Sequence, residues 1–345
     1  MRASSDRPAG RRREQSLSIR DVAAAAGVSY QTVSRVLNES PSVSPETRRA
    51  VLEVIGRLGY RPNRAARALG SGRATAVTVV TTNTMLYGYA ATLQGIEEAA
   101  RLRGLAVGIR VVESGRDADV RHAVEYVTDP SAGSVIVVAY DTVGATVLRA
   151  LPDDVPAIGV TEAGGVTGSD RTMIYLDERQ AAGAATAHLL GLGHRTVQHV
   201  AIPSETGTSA RQTGWRDTLL AAGALVPEVV AGGWDPRSAY LAGRRLAADP
   251  LVTAILCGND DTALGVRRAL HEAGRDVPGD VSIVGFDDVP GAAYWTPALT
   301  TVRMDFVALG QACLATLVAS EPGSQPELPA PHLVVRESTA PPREH

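Results

Sequence analysis

The sequence predicts an α/β protein in two parts: an N-terminal three-helix head with helix-turn-helix spacing, and a body of two doubly wound parallel-sheet lobes. Three observations predict it. Capped helical repeats divide the first sixty residues into three short helices. From Ala74 onward, short β-branched runs alternate with amphipathic helices. The charge also changes sign between the parts: residues 1–73 hold 14 Arg against 6 acids, and the remainder 20 Arg against 31 acids. A head of +8 therefore precedes a body of −11 in a chain of net charge −3. A basic head on an acidic body implies that only the head meets a polyanion. A solvated basic tail would account for Arg11, Arg12 and Arg13, but not for the patterned residues after Leu17.

The head is read element by element. Ser18 caps a helix whose apolar positions are Ile19, Val22, Ala23 and Ala26, and Gly27 fits the left-handed residue that ends it. Ser29 starts a second helix running to about Asn38, with Val33, Val36 and Leu37 inward. Ser44-Pro45-Glu46 supplies a cap, a proline at the first helical position and an acid at the positive helix end. The third helix carries Val51, Ile55 and Leu58 inward and stops at Gly59. A tight turn between the first two helices is the helix-turn-helix arrangement, whose second helix leads into the major groove with its N-terminal residues. Tyr30 and Gln31 lie where base edges are within reach, and Arg35, one turn on, suits a bidentate guanine contact. Ser34 and Asn38 suit phosphate or sugar, Thr32 phosphate, and Ser29 belongs to the same DNA-facing set. The segment "PNRAARAL" from Pro62 allows one or two helical turns, too few to be stable alone. Read plainly it is an Arg-rich linker ending in flexible "GSGR".

In the body, "TAVTVVTT", "LAVGIRVV", "GSVIVVAY", "PAIGV", "TVQHVAI", "VTAILCG" and "VSIVGFDD" are the strand candidates. "LQGIEEAARLRG", "ERQAAGAATAHLLGLG" and "DTALGVRRALHEAG" are helices between them. Ligands in such folds sit beyond the C-terminal strand ends. That rule selects Thr82, Arg211, Asn259, Asp260, Asp287 and Asp288, whose polar groups suit a polyhydroxylated ligand. Trp234 and Phe306 offer flat apolar surface to a sugar ring. The plainer alternatives are that Asn259-Asp260 cap a helix, that Asp288 caps a helix or holds a turn, and that Trp234 anchors a loop.

Other classes are poorly supported. With 345 residues, 44% apolar and 4% aromatic, the chain has room for two or three globular domains. No apolar run approaches the length of a membrane span, and the basic residues 1–16 lack an apolar signal core, so they read as a flexible arm. Cys257 and Cys313 read as buried free thiols in a reducing cytoplasm. No CxxC or HExxH suggests a metal, and no GxGxxG after a strand, P-loop or GxSxG suggests a nucleotide cofactor or a hydrolase. His194 reads as a helix-terminal imidazole, partly charged against the negative pole, and not as a catalytic base. No enzyme activity, cofactor or metal is expected.

"LSIRDVAAAAGVSYQTVSRVLNESPSVSPETRRAVLEVIGRLGYRPNRAARAL" resembles the DNA-binding head of the LacI/GalR family of bacterial repressors nearly end to end. "TAILCGNDDTALGVRRALHEAGRDVPGDVSIVGFDDVPGAAYWTPALTTVRMDFVALGQ" resembles that family's effector-binding core. The resemblance runs from about Leu17 to Ser338 and implies a periplasmic-binding-protein-like body. It implies a division into a flexible arm (1–16), a DNA-binding domain (17–60), a hinge helix and linker (61–73), an effector-binding and dimerisation domain (74–339) and a tail (340–345). Within the body, lobe 1 is about 74–174 and 304–332, and lobe 2 about 175–303 and 333–339. The hinge helix would lie in the minor groove, with Leu69 as a wedge and Asn63, Arg64 and Ala66 on matching hinge positions. Arg211, Asn259 and Asp287 would hold the effector's hydroxyls. Thr82, the "GW" ending at Trp234 and the "DF" ending at Phe306 match a galactoside-responsive member.

The resemblance implies a cytoplasmic homodimeric repressor that binds a near-palindromic double-stranded operator and is released when a sugar shifts the lobes and separates the hinges. Two departures stand out. Tyr87 and Tyr89 are bulkier than expected on the aglycone side, and the leucine heptads that tetramerise some members are absent, so a dimer is expected. Rival readings keep the regulator and change the ligand to a purine, a phosphorylated sugar or none, or reverse the sign of regulation. A phosphate would need more basic pocket residues, and Asp287 opposes one.

Overall fold

A computed structural model of the chain describes residues 18–37, 40, 42–60, 76–162, 166, 168–204, 207–319 and 327–343. The expectations for Asn38, Asn63, Arg64, Ala66 and Leu69, and for the basic arm, lie outside the described residues. The chain divides into two units, Met1–Arg73 and Ala74–His345.

The first unit holds α1 (Ile19–Ala26), α2 (Tyr30–Leu37) and α3 (Pro45–Leu58). Each boundary has a local cause. At the start of α1, the Asp21 carboxylate accepts from the Ser18 backbone N–H at 2.7 Å and from its hydroxyl at 2.8 Å, so the acid, not the serine, closes the cap. Gly27 ends α1 at φ 65 and Gly59 ends α3 at φ 63, backbone that favours glycine. Ser29 accepts from the Thr32 N–H, and Ser44 from the Thr47 N–H. Val22, Ala23, Val33, Val36, Val51 and Val54 form the core, with Ile55 and Leu58 only half-buried beside it. Arg48 of α3 donates to the Val36 carbonyl at 3.4 Å and the Ser40 carbonyl at 2.6 Å, which fastens the C-terminal end of α2.

The second unit contains two sheets. In the first, β1 (Ala76–Thr81), β2 (Ala106–Val111), β3 (Ser134–Ala139), β4 (Ala157–Thr161) and β5 (Met173–Ile174) are parallel in the order β2-β1-β3-β4-β5. The second contains β6 (Gln198–Ala201), β7 (Val230–Ala231), β8 (Ala254–Cys257), β9 (Ser282–Asp287), β10 (Thr300–Arg303) and β11 (His332–Val334), in the order β11-β10-β9-β8-β6-β7 with only β11 antiparallel. Each sheet thus repeats one doubly wound order, and β3, β8 and β9 are buried along nearly their whole length because helices cover both faces.

Around the first sheet are α4 (Tyr87–Leu102), α5 (Asp117–Thr128) and α6 (Thr142–Ala150). Around the second are α7 (Glu178–Gly191), α8 (Ala210–Ala221), α9 (Pro236–Ala247) and α10 (Asp260–Glu272). The chain then returns to the first lobe, where α11 (Phe306–Val318) packs on α4. Glycine sets the closest helix contacts. A Cβ on Gly95 of α4 would overlap the Val307 carbonyl oxygen of α11, and one on Gly310 would overlap that of Thr92. Gly214 against Arg179 and Gly265 against Pro236 repeat the device between α7 and α8 and between α9 and α10.

Two histidines lie inside the second lobe. His194 is 4% exposed, with Nδ1 3.0 Å from the Thr253 hydroxyl and Nε2 near Ser282 and the Ala340 carbonyl. Burial lowers its pKa, which corrects the partly charged helix-terminal reading: this imidazole ties the C-terminal segment to the sheet in its neutral form. His199 is 1% exposed, tilted against Trp215 at 5.4 Å, with Nδ1–H donating to the Leu256 carbonyl at 3.0 Å. Burial pushes this imidazole down to about 4. Its folded pKa lies below the unfolded value, so its contribution is fully present above about pH 6.5 and is lost as pH falls toward 4. His199→Gln removes that titration. In urea unfolding, the stability gap between the natural protein and this variant is expected to narrow by about 1.4 kcal/mol per pH unit across that window. Carboxylate titrations common to both proteins cancel in the difference. A constant gap would refute neutral burial. Cys257 and Cys313 are buried free thiols, both held above their ordinary pKa by burial.

Candidate functional site

On the head, α2 buries Val33 and Val36 and turns Tyr30, Gln31 and Arg35 outward, Tyr30 at 53% exposure. Thr32 and Ser34 are half-buried at the edges of this face. The Ser29 and Thr32 hydroxyls lie 2.9 Å apart, so both are engaged at the helix start. An exposed aromatic, an amide and a guanidinium on one side of an eight-residue helix form a surface suited to base edges and phosphates.

In the body, one cleft gathers Tyr87, Tyr89, Tyr140 and Phe306 from the first lobe and Arg211, Trp234, Asn259 and Asp287 from the second, with carboxylates from Glu162, Glu178 and Asp261. The cavity has a volume of about 440 Å³, part of it open to solvent.

Arg211, on the first turn of α8, is 5% exposed. Its Nε and Nη2 donate to the two oxygens of Glu178 at 3.1 Å each, Nη1 donates to the Gly258 carbonyl, and its guanidinium carbon lies 4.3 Å from the Phe286 ring centre. Burial opposes its charge, but Glu178 and Asp287 more than compensate, and its pKa is raised. Asp287 stands 3.7 Å from Arg211, and its buried Oδ1 has no hydrogen-bond partner among the described residues. Burial raises its pKa well above the usual carboxylate range despite Arg211. Its φ of 112 is rare for a residue with a Cβ, and such strain clusters at working sites.

The remaining residues divide. Asn259 caps α10, its side-chain oxygen accepting from the Thr262 N–H at 2.7 Å, while its amide nitrogen donates to the Trp234 carbonyl at 3.3 Å. Capping and cleft lining therefore coexist in one side chain. Asp260 does not line the cleft. It is fully buried, accepting from the Thr301 hydroxyl at 2.6 Å and the Val289 N–H at 2.8 Å, and burial pushes it up to about 7. Asp288 pairs with Arg303 and Arg336 at 2.6 Å each and braces the strand ends. Thr82 is also absent from the lining: its hydroxyl donates to Asp141, as does that of Tyr89, so the tyrosine ring forms that wall.

Sequence reasoning missed Glu162, Glu178, Asp261 and Tyr140. Glu178 opens α7, where an acid is routine at the positive helix end, and nothing local marks it as the partner of Arg211 33 residues on. Asp261 follows Asp260, and only the helix phase decides which of the two faces the cleft. Among the described residues no group of His, Cys, Asp and Glu could hold a metal ion, and no helix is long and apolar enough to cross a membrane.

Residues 18–63 match the model of bacterial regulatory proteins of the lacI family, and residues 186–339 match a periplasmic binding protein-like domain. The lactose operon repressor of Escherichia coli K12 is 31% identical over 309 residues, covering 88% of this chain and 84% of that protein. The HTH-type transcriptional repressor PurR of Glaesserella parasuis is 29% identical over 336 residues, covering 93% and 97%. The crystal structure of the lac repressor dimer bound to operator and the anti-inducer ONPF superposes with a TM-score of 0.83 at 30% identity, covering 94% of this chain and 100% of that one. An exposed polar helix face in the head and a two-lobed periplasmic-binding-protein-like body agree with those matches, and the chain belongs to the lacI family: it is a DNA-binding transcriptional regulator with a ligand-binding domain, not an enzyme.

Proposed function

We propose that this regulator represses a sugar-utilisation operon from a near-palindromic operator, and that a polyhydroxylated, galactoside-like inducer bound in the cleft releases it. One observation carries the reading. Arg211, Asn259 and the unsatisfied Asp287 converge in the cleft that Trp234, Tyr89 and Phe306 also line, which pairs directional hydrogen bonding with flat apolar surface. The lobes contribute to opposite walls, so a ligand that favours one lobe arrangement shifts the equilibrium by its differential affinity, typically about 1–3 kcal/mol. A purine is the second reading, favoured by the aromatic wall.

The active species is a homodimer in the cytoplasm. Ile109 (54% exposed) and Val111 (45%) on edge strand β2, and Leu264 (40%) and Tyr294 (86%) on the second lobe, offer apolar surface to a second copy. Tyr30, Gln31 and Arg35 read base edges, while Ser29, Thr32, Ser34 and Asn38 hold the backbone. In the hinge, Leu69 wedges the minor groove and Asn63, Arg64 and Ala66 flank it.

A duplex carrying two lac-type half-sites is expected to compete for binding far better than scrambled DNA in a gel shift; equal competition removes the operator assignment. Arg35→Ala is expected to lose about 1–3 kcal/mol of discrimination at one base pair. A loss uniform across sequences would make Arg35 a phosphate contact only.

A further inference from the structure

The cleft carries more negative charge than a neutral sugar can use. Among the described residues, four carboxylates, Glu162, Glu178, Asp261 and Asp287, line it against the single guanidinium of Arg211. Glu178 takes the Nε–Nη2 edge of that guanidinium, and Asp287 reaches it only at 3.7 Å. Glu162 accepts from the Ser204 hydroxyl at 2.9 Å. Asp261 is half-buried. A sugar hydroxyl can donate to a carboxylate but cannot balance its charge, and an unbalanced buried carboxylate is costly.

Burial first, then neighbouring acids, hold Asp287 and Asp261 above the ordinary carboxylate range, with Arg211 opposing this at Asp287. A ligand cation would offset the charge these acids carry. The aromatic wall favours the same sign of charge. Trp234 and Tyr89 lie 6.4 Å apart, Tyr89 and Tyr140 5.1 Å, Tyr140 and Phe306 6.2 Å, and Phe306 and Tyr87 6.1 Å, each pair edge to face. Aromatic faces attract ammonium groups, most strongly when both are desolvated.

The geometry points to an effector that bears a protonated amine beside its hydroxyls, an amino sugar or aminated glycoside, whose ammonium meets Asp261 and Asp287 in front of the Trp234 and Tyr89 rings. This rests on the reading of the cleft as the effector site and narrows it from sugars in general to cationic ones.

Matched pairs test it on the purified full chain by calorimetry near pH 6.5: D-galactosamine against D-galactose and N-acetyl-D-galactosamine, and D-glucosamine against D-glucose and N-acetyl-D-glucosamine. At least one amine is expected to bind about tenfold or more tightly than both its neutral counterparts. Asp261→Asn should bring that preference toward unity. If a neutral sugar binds as tightly as its amine and Asp287→Asn abolishes it, the cationic inference fails and the effector site stands. If no member of the panel binds, or binding ignores Asp287→Asn, both fail.

Discussion

Arg211→Met is expected to destabilise the body by about 3–5 kcal/mol, because it leaves Glu178 and Asp287 buried without their cation. Glu178 is 4% exposed and Asp287 8% exposed, so water cannot take over the role. Urea unfolding of the variant should show the loss near neutral pH. Lowering the pH should return part of it, since protonating Asp287, which burial already holds above the ordinary carboxylate range, removes an uncompensated charge. Adding Glu178→Met should also restore a large fraction, because the two side chains form one unit and their effects are not additive. Strict additivity in that double variant would mean that the two 3.1 Å bonds carry little energy. Ligand binding should fail in both variants, which separates repair of stability from repair of the site.

Gly95→Val is the second large effect. The new Cβ would overlap the Val307 carbonyl oxygen, which is backbone of α11 and cannot rotate away. The helices must separate, at a cost of about 3 kcal/mol or more. For a body of this size that is a melting-point drop of roughly 6–12 °C. The same helices carry Tyr87, Tyr89 and Phe306 to the cleft, so weaker ligand binding should accompany the drop. Gly191→Ala, at the end of α7 with nothing within 4 Å of the new Cβ and no positive φ, is the control for a glycine replaced without a packing clash. A Gly95→Val protein as stable as that control would contradict the close helix contact.

How much of this could be read from the residues alone differs by part. The head was legible because its signals are local: the Ser44-Pro45 start, the Gly27 and Gly59 stops and the valine spacing each act within one helix turn. Even there, the closing of α1 by Asp21 and the bracing of α2 by Arg48 were not visible, since each needs a partner's geometry. In the body, the alternation of strand and helix revealed the fold, and the strand-end rule selected Arg211, Asn259 and Asp287, which line one cleft. That rule places a residue beyond a strand but says nothing of its direction. It therefore selected Thr82, Asp260 and Asp288 as well, whose polar groups are satisfied by Asp141, by Thr301 with Val289, and by Arg303 with Arg336. Glu178 escaped because its meaning depends on a contact between two helices, and Glu162 because it lies just beyond a strand end that attracted no attention.

Equilibrium binding to a fluorescently labelled palindromic duplex, with and without a ligand that stabilises the body, tests the central claim most directly. Saturating ligand is predicted to weaken DNA binding by about tenfold or more in the natural protein and to leave Asp287→Asn, still bound to DNA, unaffected. Equal DNA affinity with and without ligand in the natural protein, or the same response in Asp287→Asn, would contradict the coupling of this cleft to the DNA-binding head.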